Sequence, residues 1–439
     1  MWSSGMGPTT ARRLCVALVL ALSACGDDGG SGGNTSAIST GTERDGGRAE
    51  DPPEVEAPTG ADAPDHEVRS EDANAYLCGY DDEDAHDWPG SERFGEVAVG
   101  NDGRGFALAH HDPDGALYLE AIEVGRGELA QGSVRLHNPQ DDPRDVALAA
   151  VSGTFVMLLR SGGALLLRTL DGESEPEVLT DALAADRDGR PFALVAQQDH
   201  FVAAWIEDGG ALRLQRLTGA GALDGSPLSL PTEATPQDLQ LGRLDEGKTL
   251  LAYFELDGGE GRVMAQVLDG ALAAQGDSVQ VNQNAVAAAR FDLGARRLSA
   301  GVLFHAQEGG VRDTVKYRRI DPDGQPSQPV LNVVNAPGRA RDGSITAFGQ
   351  GYAVAYRALP SLGVDRPTLR IAFVNQFGRI VHEAELGETS EDGGRTSITA
   401  TAGAELLVGW TTRWPSGPRT HALQLDCPGA LILCGGSVE

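Results

Sequence analysis

The apolar positions of this chain fall into short phrases that return at regular intervals. One copy reads Ser344-Ile345-Thr346-Ala347 and then Tyr352-Ala353-Val354-Ala355-Tyr356; another reads Ser397-Ile398-Thr399-Ala400 and then Leu406-Leu407-Val408-Gly409-Trp410. The second half recurs as Phe201-Val202-Ala203-Ala204-Trp205 and Thr249-Leu250-Leu251-Ala252-Tyr253, with weaker copies ending at His110, Leu159 and Val302. The phrases end at positions 110, 159, 205, 253, 302, 356 and 410, at spacings of 49, 46, 48, 49, 54 and 54 residues. Seven copies of a unit of about fifty residues fit, and the weaker copies leave six or eight open.

Each copy has the same internal order. A short apolar strand such as Val146 to Ala150 precedes the signature strand, and a Gly/Asp turn follows. An alternating strand comes next, as in Leu212-Arg213-Leu214-Gln215-Arg216-Leu217, with leucines on one side and polar residues on the other. A turn such as Asp321-Pro322-Asp323-Gly324 closes it, and a fourth short strand, such as Pro329 to Val334, completes the unit. Four antiparallel strands per unit, repeated seven times, predict an all-β fold: a seven-bladed β-propeller over residues 76–439. Blades that share cores with their neighbours let such a length fold without one oversized core.

Ahead of the repeats the pattern changes twice. Arg12 and Arg13 precede an apolar run from Leu14 to Leu22, about half the length that spans a bilayer, so residues 1–24 read as an export signal. From Gly26 to Ala75 the chain is Gly, Ser, Thr, Pro, Asp and Glu, with thirteen acids against three arginines. Such a segment cannot bury enough surface to offset its ordering entropy, so residues 25–75 are expected to be a solvated linker, continued by the acidic run Asp81 to Asp84. Leu22-Ser23-Ala24-Cys25 resembles the lipobox of bacterial lipoproteins. The resemblance implies that Cys25 becomes the N-terminus and carries a diacylglyceryl group and a third acyl chain, which is enough for stable anchoring. It also implies a cell-envelope location, and Gly26 after the cysteine favours the outer over the inner membrane.

Composition narrows the partners. Removing residues 1–24 takes away two arginines and no acids, so the net charge of -29 becomes -31. That charge repels nucleic acid and anionic lipid head groups, and it favours solubility. Five cysteines are present: Cys15 leaves with the signal, Cys25 is acylated, and Cys78, Cys427 and Cys434 remain as disulfide candidates in a compartment that permits them. A bond from Cys78 to either of the other two would clasp the ends of the ring; a local Cys427–Cys434 bridge is the alternative.

Catalytic signatures are sparse. Read this way, the repeats hold no His-Glu-x-x-His and no calcium loop, and none is assigned a phosphate-cradling glycine loop. His110 and His111 are adjacent, so they leave opposite faces of a strand and cannot readily chelate together. No metal or cofactor is expected. Ser390 to Thr396 is similar to the Asp-box of sialidase-like propellers, but Ser397 stands where the box has an aromatic residue and the run lies between two copies.

Charge distribution supplies the candidate site. Between Arg296 and Thr420 there are fifteen basic and twelve acidic residues, so the rest of the chain carries -32. In a propeller, the loops between second and third strands share a face with the loops between blades. In copies five to seven the former are read as long: His305 to Asp313, Arg357 to Pro367 and Thr411 to Arg419. They hold Arg312, Arg357, Arg366, Arg413, Trp414 and Arg419, and the inter-blade loops add Arg339, Arg341 and Arg395. Arginine forks beside a tryptophan suit carboxylates, phosphates or sugar rings. The sequence thus leads to a non-catalytic envelope scaffold that binds a protein partner or an anionic glycan. The alternative is an extracytoplasmic propeller hydrolase acting on a glycan or lactone.

Overall fold

The computed structural model describes residues 66–433 apart from 70–75, 81–84, 91–96, 102–104, 124–133, 138–142, 171–174, 185–189, 258–259, 284–289, 309–311, 328, 334–338, 360–365, 391–393, 395 and 402–403. The expected acylation site Cys25, the signal, most of the linker, Asp81 to Asp84 and Cys434 therefore lie outside the described residues.

The chain is a seven-bladed β-propeller of four-stranded antiparallel blades. From the channel outward, blade 1 is Ala98–Asn101, Gly105–His111, Leu117–Glu123 and Val134–His137; blade 2 is Pro143–Val151, Thr154–Ser161, Ala164–Thr169 and Glu177–Thr180. Blade 3 is Phe192–Ala196, His200–Ile206, Leu212–Thr218 and Leu223–Leu230; blade 4 is Thr235–Arg243, Thr249–Asp257, Glu260–Leu268 and Val279–Gln280. Blade 5 is Phe291–Arg296, Ser299–Glu308, Arg312–Ile320 and Leu331–Asn332; blade 6 is Arg339–Phe348, Gly351–Leu359, Thr368–Val374 and Ile380–Glu388. Blade 7 has Ser397–Ala400, Glu405–Trp414 and Gly417–Asp426 from the C-terminal end. Its outer strand comes from the other end of the chain: Ala85–Pro89 pairs with Leu423 back to Arg419.

The uniformly apolar second strands have a simple cause. Neighbouring blades lie on both sides of each one, so both of its faces are buried. In blade 4, Leu250, Ala252 and Phe254 pack towards blade 5, while Leu251 and Tyr253 pack towards blade 3. Among the described residues there are seven apolar clusters, one at each interface between neighbouring blades, the last joining blade 7 to blade 1 through Leu407, Val97, Phe106 and Leu108. The ring closes.

Closure uses three devices. The outer strand of blade 7 is one. A disulfide between Cys78 and Cys427 is the second, joining Tyr76–Tyr80 to the residue after the last strand. The third is a stack in which Trp88 lies 5.2 Å from His110 and 5.5 Å from His86. Asp87 adds an ion pair with Arg419, which donates from Nε at 2.6 Å.

Three expectations are corrected. Structure begins inside the span assigned to the linker, because His66–Arg69 pairs antiparallel with Tyr76–Tyr80. The loops read as long at His305 to Asp313 and Thr411 to Arg419 are largely strand among the described residues, and the one read from Arg357 begins two residues later, after Leu359. Arg312, Arg357, Arg413 and Arg419 sit on Arg312–Ile320, Gly351–Leu359, Glu405–Trp414 and Gly417–Asp426, with Trp414 ending its strand. Arg339 and Arg341 likewise belong to the inner strand of blade 6, opposite Leu359 and Arg357. The reason is register: these hairpins keep pairing beyond the apolar phrase, down to Trp414↔Gly417 and Glu308↔Arg312.

Buried tyrosines make the fold sensitive to alkali. Tyr352 donates or accepts a hydrogen bond with Ser299 at 2.8 Å, and burial pushes its hydroxyl up to about 12. Burial also raises Tyr317 and Tyr356. A phenol that ionises later in the folded than in the unfolded chain contributes stability below pH ~10 and loses it as the pH rises towards 12. Absorbance near 295 nm should therefore show late, cooperative ionisation coincident with unfolding, and Tyr352→Phe should shift that transition upward in pH.

Candidate functional site

The seven inner strands surround a cavity of about 390 Å³ on the channel axis. Small residues line its middle: Gly100, Ala147, Ala193, Gly242, Gly294 and Ala347. The polar residues concentrate where the inner strands begin, the end termed here the mouth. Arg190 and Arg290 precede the inner strands of blades 3 and 5, and Asp292, His305, Asp342, Ser344 and Thr396 join them on the wall.

Asp342 is the node of this cluster. Its side chain is 2% exposed and accepts from Arg357 of its own blade and Arg290 of blade 5. Its backbone lies in the left-handed region at φ 54°, rare for a residue with a side chain, inside a bulge between Arg341 and Ser344. A Cβ on the next residue, Gly343, would stand 2.6 Å from Leu303 Cδ2, so the tip of that leucine would have to move to admit one. The Gly343 N–H points at His305 Nε2 at 3.3 Å, and the Asp342 carbonyl accepts from the Thr396 hydroxyl of the strand leading into blade 7. One residue thus ties three blades together.

Asp292 stands beside it. Its Oδ2 accepts from the Ser344 hydroxyl at 2.6 Å and the Ile345 N–H at 2.9 Å, two and three residues beyond Asp342. Asp292 and Asp342 thus stand on neighbouring inner strands that line the channel, and Asp292 holds Ser344. A related arrangement joins blades 3 and 4, where the Arg190 N–H donates to the fully buried Asp238 at 3.0 Å.

The residues singled out from the sequence distribute as follows. Arg357 is buried, and besides Asp342 it holds the Ser390 carbonyl at 2.8 Å. Arg366 is exposed and pairs with Glu388 at 2.7 Å. Arg413 is exposed and Trp414 half-buried at the tip of blade 7; the Arg413 N–H donates to Ser390 Oγ at 2.7 Å. Arg419 is held by Asp87 across the closing strand. The side chains of Arg312 and Arg395 lie outside the described residues. Arg357, Arg366, Arg413 and Trp414 share the mouth end of blades 6 and 7, but only Arg357 reaches the Asp342 cluster.

Sequence reasoning passed over Asp342 and Asp292. A signal for the first exists: Asp145 and Arg160 in blade 2 stand fifteen residues apart, as Asp342 and Arg357 do, and also pair, at 3.5 Å. It likewise passed over Gly242 to Thr249, which has the Gly-x-x-x-x-Gly-Lys-Thr spacing of a phosphate loop. Here that run is a hairpin followed by a strand, so it lacks the helix N-terminus such a loop needs. Lys248 pairs with Glu246 at 3.0 Å, and buried Thr249 accepts from Gln197 at 2.7 Å.

His110 and His111 are buried at the end of the second strand of blade 1, with His110 Nε2 3.2 Å from Glu120. Among the described residues, no group of three or more His, Cys, Asp or Glu side chains is arranged to hold a metal ion.

No protein-family model matches the chain, and no curated protein matches it in sequence. Among solved structures, it is similar to the BP39L lectin from Burkholderia pseudomallei at 14% identity, covering 73% of this chain and 93% of that one with a TM-score of 0.49. AofleA from Arthrobotrys oligospora matches at 11% identity over 74% and 94% of the two chains, TM-score 0.45. The alpha-L-arabinanase of Penicillium chrysogenum matches at 12% over 65% and 93%, TM-score 0.43. Likeness this distant says nothing about activity, and the fold stands on the strand order described above.

Proposed function

We propose that this propeller is a glycan-processing protein of the cell envelope that takes a sugar chain into the mouth of its channel, with Asp292 and Asp342 as the carboxylates through which a glycosidic bond is cleaved. One observation supports this above the others: two acids on adjacent inner strands line the same sector of the channel wall, one of them on left-handed backbone. Strain of that kind clusters at working sites. Paired carboxylates are what glycoside hydrolysis uses, one to handle the leaving group and one to meet the sugar carbon or its attacking water. Ser344, Thr396 and Arg290 would supply hydrogen bonds to ring hydroxyls. Arg366, Arg413 and Trp414, at the same end, would extend contact to an acidic chain.

A second reading has its own support. Both carboxylates already accept from fixed partners, Asp342 from two arginines and Asp292 from Ser344 and Ile345. A site so satisfied suits capture of a glycan without cleavage.

One experiment separates the two. The full-length protein is incubated with a panel of neutral and acidic polysaccharides, and both binding and new reducing ends are measured. Cleavage is expected, falling by about 10²-fold or more in Asp292→Asn and Asp342→Asn. Binding without product in the wild type would establish the capture reading. Neither binding nor product would discard both.

A further inference from the structure

We infer that the face opposite the mouth, at blades 5 and 6, is a docking surface for a phospholipid bilayer. The two most exposed large apolar side chains among the described residues are Phe377 at 63% and Leu298 at 61%. Both sit on turns at the end where inner strands finish. Leu298 lies between the first and second strands of blade 5, and Phe377 between the third and fourth strands of blade 6. The two turns are tied into one surface. Arg296 of blade 5 donates to the Gln350 side chain of blade 6 at 2.7 Å, and Arg319 of blade 5 donates to the Gln376 carbonyl, next to Phe377, at 2.6 Å.

The charge around these tips departs from that of the chain. Arg296, Arg297, Arg319 and Arg379 surround them in a protein of net charge -29. The acids that face them are Asp245, 3.9 Å from Arg297, and Asp321, 3.6 Å from Arg319; Glu246 and Asp323 are exposed on the same end. With four arginines against these four acids the end is charge-balanced, and apolar tips in such a setting suit a zwitterionic interface, where rings and alkyl groups enter the acyl boundary and guanidinium groups meet phosphates.

The place where the chain enters the fold selects a bilayer over other partners. His66 pairs with Tyr80, and Gly79 pairs with Asp426, the last residue of the third strand of blade 7, so entry is near this same end. If Cys25 is acylated as the lipobox resemblance implies, about forty residues separate the lipid from His66, a root-mean-square reach of roughly 35 Å for a flexible chain. Tethering at that range raises the local concentration to about the millimolar level, so a surface of only millimolar affinity would be occupied. Two apolar tips and a few arginines suffice for that. Docking by this face would leave the channel mouth pointing away from the lipid.

The test uses the full-length acylated protein in zwitterionic vesicles of phosphatidylethanolamine and phosphatidylcholine, with brominated acyl chains as the quencher. Phe377→Trp and Leu298→Trp each add one indole to the native set, and Leu228→Trp, on the exposed outer strand of blade 3, is the control. The added emission at 377 and 298 should fall at least twofold with brominated lipid while that at 228 is unchanged. Unquenched emission at 377 and 298, in protein that floats with the vesicles, would overturn the inference. If the chain does not float, a histidine tag ahead of residue 26 and a nickel-chelating lipid supply the tether, and the same two outcomes decide.

Discussion

Replacing Cys78 or Cys427 with serine is expected to lower folding stability by about 4–5 kcal/mol. The bond spans 349 residues, so it removes a large part of the freedom of the unfolded chain. Both cysteines pack into the apolar cluster between blades 6 and 7. Among the described residues, the cluster between blades 7 and 1 has five buried members, Val97, Phe106, Leu108, Leu407 and Ala422, fewer than the other six. The five paired residues of Ala85–Pro89 would then be the main cover for the edge of Gly417–Asp426. Denaturant midpoints measured with and without reductant check this. Each single serine variant should match the reduced wild type, the double variant should add nothing further, and Cys434→Ser should leave the midpoint in place. A normal midpoint in Cys78→Ser would show that the strand alone closes the ring.

Arg357→Ala is expected to cost about 3–5 kcal/mol, because it strands part of a buried ion pair at 2% exposure on both side chains. Arg366→Ala should cost under about 1 kcal/mol, since its pair with Glu388 is solvent-exposed. The contrast matters for function. From the sequence these arginines form one patch, yet a loss of ligand binding in Arg357→Ala would report damage to the wall of the channel as much as a lost contact. Arg366→Ala and Arg413→Ala test the rim without that complication. Thermal unfolding of the three variants side by side is the measurement, and equal midpoints would mean that Arg290 alone compensates Asp342.

Much of the blade was legible because its causes are local. The alternation in Leu212 to Leu217 and the unbroken apolar run in Phe201 to Trp205 state which strands have one buried face and which have two. The strand ends were less legible. Leu359 and Leu369, both buried at the loop end of the blade 6 hairpin, were the available sign that pairing continues past Arg357. The candidate site was nearly invisible. Asp342 owes its setting to Arg290, fifty-two residues earlier, and to Thr396 of the following blade.

By itself the sequence determined the repeat, the four-strand grammar and the class of fold, since a period of two and a turn every few residues act within one blade. A lipid anchor is an expectation from the Leu22 to Cys25 resemblance alone. Only the tertiary structure decided that an N-terminal strand completes blade 7, that Cys78 pairs with Cys427, and which arginines are buried and which are exposed. Those outcomes depend on contacts between residues about fifty to several hundred positions apart, and it is closing the ring that brings such residues within bonding distance.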